Sequence, residues 1–368
     1  MRCFLPLLLT GTLVTSAPAI TFKAGQPETI LSHERQQELG IAFIDTGLPM
    51  VNMRGQRKWF LTRHDYPNND EGQVMLEGPL EDPFAKVVRK DIRIEGAPEE
   101  RVEFNRPGNG CWIGNVYLDP HYNLILAFVH LEYWPHGMAR KKYCRMGLAV
   151  SQDGGDTFQW CGYIITPDLP FERWLNHWYP EAPGTTNVGW VSYIIRDGYF
   201  YAYYRDTGDR PDQAIGGMAC ARAPVEEVVR AARDHKVTSW KKYYNGEFGE
   251  DGLGGKFTSL AEPRGLMHGD AAWNEYLGRY MLVVRDGKHS EDTGALLISF
   301  SQDGLDWSPW QDVLRDEHLH DYPVIISNGP DNEVTGKDFW IYYKYDPDDR
   351  MPEKYGTMRL DRVKVTLD

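Results

Sequence analysis

Two short stretches decide the fold of this chain: Ser151-Gln-Asp-Gly-Gly-Asp-Thr-Phe158 and Ser301-Gln-Asp-Gly-Leu-Asp-Trp307. Both place Ser-Gln-Asp-Gly ahead of an aromatic residue, and both stand between two runs of strand-forming residues. Glycine supplies the positive φ of a tight turn, and the Asp carboxylate accepts hydrogen bonds from backbone N–H groups of that turn. We therefore predict the same hairpin twice, with Asp153 and Asp303 as structural turn formers.

The sequence around these turns repeats a strand, turn, strand phrase. The inner strands of this phrase are predicted to begin near Asn115, Trp190, Asp270 and Tyr322. A third and a fourth strand follow in the first three copies, at 146–150 and 158–165, at 217–222 and 239–244, and at 295–301 and 307–313. Four antiparallel strands that recur along a chain form the blades of a β-propeller.

The rest of the chain completes the ring. Residues 41–105 hold enough strand-forming sequence for one more blade, which makes five; a ring of six or seven is the alternative if 67–83 hides a blade. Either 356–365 or the segment after Ile20 would close the ring by lending a strand to the blade at the other end. One helical period, 224–233, interrupts the outer strands of the blade that begins at Trp190. We predict an all-β, five-bladed β-propeller as a single domain over 20–368.

The first residues predict the compartment. Arg2, an apolar run over 4–14 and Ala17-Pro-Ala19 form the three regions of a signal peptide, which we place at 1–19. The apolar run is shorter than the roughly 20 residues needed to span a bilayer. We therefore expect a secreted or periplasmic protein.

Charge and composition limit the partners. The 368 residues carry a formal net charge of −13 without a stretch rich in Lys or Arg, which argues against nucleic acid and anionic membranes as partners. Aromatic residues make up 13% of the chain and include 12 Trp. In secreted all-β proteins such an excess often lines sugar-binding clefts, and the alternative is that Trp and Tyr belong to an ordinary propeller core. We expect a monomer with a carbohydrate substrate and no cofactor, although the central funnel could hold a structural cation.

Four cysteines follow the predicted signal peptide, and an even number in an oxidising compartment predicts disulfides. Cys144 and Cys161 flank the first Ser-Gln-Asp-Gly turn at similar distances, so we predict that they are bonded, with Cys111 and Cys220 as the second pair. Four free thiols are the alternative. No Cys or His cluster has zinc-ligand spacing, so no metal ligands are predicted.

Candidate catalytic residues follow from the geometry of a propeller, in which the innermost strands surround one axis. Carboxylates at the beginnings of these strands can meet there and hydrolyse a glycosidic bond as an acid/base pair. Acidic residues beside Pro and Gly also commonly cap turns, which is the alternative for each of them. The candidates are Asp45, Glu181, Glu262, Asp270 and Asp321.

Other residues are predicted to contact substrate. His268 and His320 precede candidate Asp residues, and Asp321 itself is a candidate for substrate binding. Trp190, Tyr204 and Arg205 belong to one strand, turn, strand phrase. His130 and Glu132 end a second strand, so we predict that they lie far from the funnel mouth.

The chain resembles known propeller families. The first turn is similar to the Asp-box of sialidase-type propellers, and the second to a hairpin of five-bladed glycosidases such as arabinanases and β-fructosidases. Asp45-Thr46-Gly47 resembles the Gly-Asp-Thr that opens the first blade of secreted endo-D-arabinanases, with Ile44 in place of Gly. Ala221-Arg-Ala-Pro224, the helical stretch that follows it and Trp240-Lys-Lys-Tyr-Tyr-Asn-Gly246 are together similar to the insertion in the middle blade of those enzymes.

The resemblance implies a pair of carboxylates on inner strands of different blades, with Asp45 as base or nucleophile. It leaves the acid open among Glu181, Glu262 and Asp270. The second blade begins Trp112-Ile-Gly-Asn115, where many of these glycosidases carry an Asp that tunes charge.

Two other functions remain open. A propeller polysaccharide lyase would use His130, Tyr204 and Arg205 to remove a proton beside a uronate carboxylate. A sugar-binding propeller would have no catalysis, because a fold does not specify chemistry.

Overall fold

The computed structural model describes residues 20–41, 43–65, 70–98, 110–133, 142–176, 188–206, 217–260, 267–286, 294–329, 333–347 and 358–368. These residues form five sheets that are the blades of a five-bladed β-propeller, as predicted. The alternatives of six or seven blades are wrong, because part of the loop that could have hidden a blade lies in a strand of the first blade.

The chain begins with β1 (Phe22–Ala24), β2 (Glu28–Leu31) and helix α1 (His33–Leu39). The first blade contains β3 (Phe43–Ile44), β4 (Met50–Met53), β5 (Gln56–Asp65), β6 (Asp70–Glu77) and β7 (Lys86–Ile92). The second contains β9 (Cys111–Asp119), β10 (Leu124–Tyr133), β11 (Tyr143–Ser151) and β12 (Phe158–Ile165), with β8 (Ile94–Glu95) parallel to β12. Helix α2 (Phe171–Asn176) follows the second blade.

The third blade contains β13 (Val188–Arg196), β14 (Tyr199–Asp206), β15 (Gly217–Pro224), β16 (Lys241–Tyr244) and β17 (Glu247–Asp251), and helix α3 (Val225–Arg233) interrupts its outer strands as predicted. The fourth contains β18 (Met267–Asn274), β19 (Arg279–Arg285), β20 (Gly294–Ser301), β21 (Gln311–Asp316) and β23 (Val334–Thr335). The fifth contains β22 (Leu319–Ser327), β24 (Asp338–Asp346) and β25 (Arg359–Leu367).

Both ends of the chain close the ring. β25 pairs with β24, and the N-terminal strands β1 and β2 pair antiparallel with the other edge of β25. The prediction that the segment after Ile20 would lend a strand to the last blade is confirmed. β25 is thereby paired on both sides, and the two short strands β1 and β2 form the edge of the fifth sheet.

The core consists of five large apolar clusters, each between two neighbouring blades. The cluster between the second and third blades, for example, packs Phe128 against Tyr193 and Phe200. The alternating apolar residues of the repeats therefore face adjacent sheets, which fixes the radial arrangement of the blades.

The inner strands begin two to four residues earlier than predicted. β9 begins at Cys111, β13 at Val188, β18 at Met267 and β22 at Leu319. The first residues of these strands include glycines and polar residues, which weaken the sequence signal for a strand. These early residues lie at one end of the axial channel.

The predicted disulfides are wrong, because all four described cysteines are free thiols. β11 and β12 pair from Met146 with Ile165, so Cys144 lies beyond the paired region and Cys161 lies opposite residues 148–149. Cys161 instead places its sulfur near the carbonyl of Ala232 in α3. Cys144 lies farther from the turn than Cys161, so even the regular continuation of the pairs Val150–Gln159 and Ala149–Trp160 would not bring the two thiols opposite each other.

No helix within the described residues is both long and apolar enough to cross a membrane.

Candidate active site

Four antiparallel hairpins bring side chains together at one end of the axial channel. The second strand of a hairpin ends beside the beginning of the first, so His130 pairs with Trp112, and Arg285 pairs with Met267. The prediction that His130 and Glu132 lie far from the funnel mouth is therefore wrong. We call this end the bowl, and define it by Asp45, His130, Glu132, Trp190, Arg205, His268, Asp321 and Tyr322.

Asp45 interrupts the inner strand of the first blade between β3 and β4, both of which pair with β5. The Thr46 hydroxyl accepts a hydrogen bond from the backbone N–H of Thr62 at 2.9 Å, which fixes the bend. A Cβ at Gly47 would come within 2.5 Å of Val324 Cγ2, so the bend requires glycine. The Asp-Thr-Gly sequence thus holds Asp45, which is partly exposed, in the bowl.

Tyr322 connects Asp45 to the fourth blade. Its hydroxyl donates a hydrogen bond to Oδ1 of Asp45 at 2.8 Å. Its ring stacks on the imidazole of His268, with centroids 4.2 Å apart and planes 14° from parallel. Asp45 and His268 therefore lie at the hydroxyl and at the ring face of the same tyrosine.

Asp321 anchors His268. Oδ1 of Asp321 lies 2.6 Å from Nδ1 of His268, and Oδ2 lies 2.5 Å from Nη1 of Arg285 and 4.0 Å from Nζ of Lys344. Burial opposes ionisation, but Arg285, His268 and Lys344 together hold the pKa of Asp321 well below its usual range. Asp321 is thus a buried anion that accepts a hydrogen bond from the Nδ1–H group of His268.

Three aromatic residues from three blades pack across the axis beneath these groups: Trp112, Trp190 and Tyr322. The Trp190 ring lies 5.1 Å from that of Tyr322 and 5.4 Å from that of His268, centroid to centroid. This layer buries much of the imidazole and supplies flat apolar surface at the floor of the bowl.

A second ion-paired cluster belongs to the second blade. Glu132 Oε1 contacts Lys142 Nζ and lies 3.0 Å from Nε2 of His130. Burial opposes ionisation of Glu132, but Lys142 and His130 lower its pKa. The carboxylate is therefore charged and held by its neighbours.

Cys144 joins this cluster, and its sulfur lies within 4.8 Å of ligand atoms of His130 and Glu132. These three atoms are close enough to hold a metal ion, which residue spacing did not predict. Lys142 already contacts Glu132, however, and burial raises the pKa of the Cys144 thiol, so the arrangement favours an ion pair over a cation site.

Asp270 lies deeper in the channel than His268, on the same strand. Its Oδ1 accepts from the Ser192 hydroxyl at 2.7 Å and from the Asn115 amide at 3.4 Å, and its Oδ2 accepts from the Ile325 N–H at 2.8 Å. Burial raises the pKa of Asp270 to about 6 against these opposing hydrogen bonds. One carboxylate thus joins the second, third, fourth and fifth blades.

Asp270 also faces a cavity of about 350 Å³ at the other end of the channel. The later residues of the inner strands line this cavity, together with Glu333, whose carboxylate contacts the Tyr193 hydroxyl. The structure therefore places Asp270 below the aromatic layer, whereas Asp45 lies in the bowl.

The remaining predicted residues divide into three groups. Trp190, Tyr204, Arg205 and His268 line one small cavity between the third and fourth blades. His320 is only 2% exposed and packs against Tyr343 and Tyr345, so it does not join the bowl. Glu181 and Glu262 lie outside the described residues.

Sequence reasoning missed four residues that contact the predicted candidates: Tyr322, Lys142, Arg285 and Lys344. The sequence does carry one signal for this site. In each of four blades, the second strand of the inner hairpin has a cationic or titratable residue near its end. These residues are His130, Arg205, Arg285 and Lys344. The alignment of the repeats contained this signal, but only the hairpin geometry places these side chains in the bowl.

The fold is similar to that of five-bladed propeller glycoside hydrolases. An α-L-arabinofuranosidase from Podospora anserina, solved with cellotriose, matches with a TM-score of 0.54 and 9% identity over 94% of this chain and 97% of its own. A family 117 glycoside hydrolase from Zobellia galactanivorans matches with a TM-score of 0.54 and 10% identity over 94% and 90%. An exo-β-1,3-galactanase from Phanerochaete chrysosporium, solved with galactose, matches with a TM-score of 0.52 and 12% identity over 91% and 64%.

No protein-family model matches the sequence, and no curated protein matches it. At these identities the structural similarity establishes the fold and leaves the chemistry to the residues of the bowl.

Proposed function

We propose that this protein is a secreted glycoside hydrolase that cleaves a plant or microbial polysaccharide or oligosaccharide in the bowl, with Asp45 as base or nucleophile. The observation that carries the proposal is the position of Asp45, which is partly exposed and hydrogen-bonded to Tyr322 at the axis of a glycosidase-like propeller. Sugars bound in two of the similar structures, cellotriose and galactose, support a carbohydrate substrate.

The other two carboxylates of the bowl, Glu132 and Asp321, form ion pairs. Glu132 contacts Lys142, and Asp321 contacts Arg285 and His268, so each neutralises and orients buried cations. Asp45 accepts a hydrogen bond from the Tyr322 hydroxyl, keeps its position by the bend of its own strand, and its charge helps to raise the pKa of Lys142. A carboxylate held in this way is suited to attack an anomeric carbon or to activate water.

The acid that partners Asp45 is proposed from sequence among Glu181, Glu262 and Asp270. Asp270 has a pKa raised to about 6, as an acid requires, but it lies below the aromatic layer. Single Gln or Asn variants of these residues identify the acid if it is a carboxylate.

The test compares Asp45→Asn with Asp197→Asn on arabinans, fructans, galactans and rhamnosyl- and uronate-bearing glycans, with detection of new reducing ends. We expect Asp45→Asn to lose roughly 10²–10⁴-fold in kcat while sugar binding and the melting temperature stay the same. Asp197 is the matched control, because its side chain is 76% exposed at the hairpin turn opposite the bowl. Near-normal turnover by Asp45→Asn would overturn the proposal.

A polysaccharide lyase is the second candidate, and one observation favours it. An imidazole held by Asp321, a tyrosine stacked on it and the guanidinium of Arg205 line adjacent parts of the bowl. Elimination beside a uronate needs a base, a proton donor and a cation that neutralises the carboxylate. Products that absorb in the ultraviolet distinguish the lyase, and sugar binding without turnover identifies a lectin.

A further inference from the structure

The pair formed by His268 and Asp321 has the geometry of an oriented proton-transfer group. Nδ1 of His268 lies 2.6 Å from Asp321, whose other oxygen is held by Arg285 at 2.5 Å. Asp321 and Arg285 are buried, with side chains 5% and 3% exposed, so the carboxylate cannot turn away. The imidazole consequently has one fixed orientation and one fixed tautomer.

The second ring nitrogen of His268, Nε2, is the one that a substrate in the bowl can reach. The side chain is 16% exposed, and Nδ1 is taken up by Asp321, so Nε2 is the nitrogen available to a substrate. His130 differs, because its Nε2 is bound to Glu132 and its side chain is only 8% exposed. Among the described bowl residues, His268 thus combines a fixed orientation with access to the substrate.

Tyr322 contacts both His268 and Asp45. The tyrosine ring stacks on His268 and its hydroxyl bonds Asp45, so both groups contact the same side chain, one at its ring face and the other at its hydroxyl. In an inverting hydrolase the acid and the base stand on opposite sides of the sugar, and the base activates a water molecule. Asp45 comes from the first blade and His268 from the fourth, so the two approach the axis from different sides.

The charges around His268 make its proton available in weakly acidic solution. Burial lowers the pKa of His268; Asp321 on β22 opposes this effect, and Arg285 on β19 and His130 on β10 add to it. Lys344 on β24 faces Asp321 from its other side. The carboxylates of Glu132 and Asp321 have pKa values too low to hold a proton there.

We propose that His268, oriented by Asp321, is the general acid that protonates the leaving oxygen, so that the catalytic pair is an imidazole and a carboxylate rather than two carboxylates. This inference rests on the proposed hydrolase function and assigns its missing acid. Nε2 gives its proton to the glycosidic oxygen as the bond to the anomeric carbon breaks. Water supplies the new hydroxyl and its proton passes to Asp45; Asp45 then releases this proton to solvent, and His268 is reprotonated from solvent.

The test uses the glycan that the panel identifies, together with its alkyl and nitrophenyl glycosides. His268→Gln should lower kcat/KM roughly 10²–10⁴-fold on the glycan and the alkyl glycoside, because a poor leaving group needs the acid. The nitrophenyl glycoside should lose at most about 10-fold, because nitrophenolate leaves without a proton. His121→Gln is the matched control, since His121 is exposed at a turn opposite the bowl.

A second measurement uses the unaltered protein. The kcat/KM of the glycan should fall as pH rises through a midpoint below 6.5, and an NMR titration of His268 should give the same midpoint. His268→Gln should lack this falling limb. The inference is overturned if His268→Gln slows both glycosides equally, if the limb persists, or if Glu181→Gln or Glu262→Gln shows the leaving-group dependence instead.

Asp45→Asn separates the two proposals. If it is inactive while His268→Gln keeps the limb, the hydrolase function stands and the assignment of the acid fails. If Asp45→Asn keeps normal turnover, both proposals fail.

Discussion

Asp45 shows how much the position of a candidate catalytic residue depends on groups that are distant in sequence. Its bend is fixed by Thr46 and Thr62, and its carboxylate is fixed by Tyr322, 277 residues away. The sequence signals Asp45 through the Asp-Thr-Gly motif. Nothing in the sequence near Tyr322 signals that its hydroxyl contacts Asp45, because this contact requires the first and fifth blades to be neighbours in the ring.

Tyr322→Phe tests this contact. The variant removes the hydrogen bond to Asp45 and keeps the ring that stacks on His268, so the fold should be unchanged. A hydrogen bond to a charged group contributes about 1.5–3 kcal/mol, and we expect a loss of roughly 10- to 100-fold in kcat. Steady-state kinetics measures the effect, with Tyr122→Phe, an exposed tyrosine, as the control. Equal kcat values for the two variants would show that the contact is not functional.

The two repeated hairpins reverse the chain and also contact the neighbouring blade. Asp303 accepts hydrogen bonds from Ser301 Oγ at 3.0 Å and from the N–H groups of Leu305 and Asp306 at 2.9 Å. The turn also contacts the neighbouring blade, because the Tyr203 hydroxyl donates to the carbonyl of Gly304 at 2.9 Å. The first turn does the same, since Lys58 Nζ donates to the carbonyl of Gly154 at 2.7 Å.

Asp303→Ala should lower the free energy of unfolding by about 1–2 kcal/mol, because the turn loses its acceptor and partly exposed N–H groups lose their partner. Asp306→Ala is the control in the same turn, since its side chain is exposed. Urea unfolding at pH 7 measures the difference. If both variants unfold at the same urea concentration, the carboxylate of Asp303 does not stabilise the hairpin.

Asp270 acts at the scale of the whole molecule. Its two oxygens accept hydrogen bonds from residues of three other blades. Ring closure by β1 and β2 joins the ends of the chain at the rim, whereas Asp270 joins the blades at the axis. Any change at Asp270 therefore affects the arrangement of the blades as well as the chemistry of the channel.

Asp270→Asn distinguishes these two roles. In the variant, an amide NH₂ replaces one carboxylate oxygen and faces hydrogen-bond donors that this oxygen accepts from in the native protein. We therefore expect a loss of about 2–4 kcal/mol in the free energy of unfolding. Asp197→Asn is again the control, and thermal and urea unfolding measure the effect. A fall in turnover of more than about 10²-fold with unchanged stability would instead support the catalytic role predicted from sequence.

The sequence by itself determined the five-bladed fold, the position of α3 and the turn role of Asp153 and Asp303. These features rest on local periodicity and turn chemistry, which any repeat of this kind displays. Local pattern could not place the side chains around the axis, because which residues meet there depends on strand register and on the order of the blades. The tertiary structure alone decided that His130 reaches the bowl, that Asp270 lies beneath it and that the cysteines are apart.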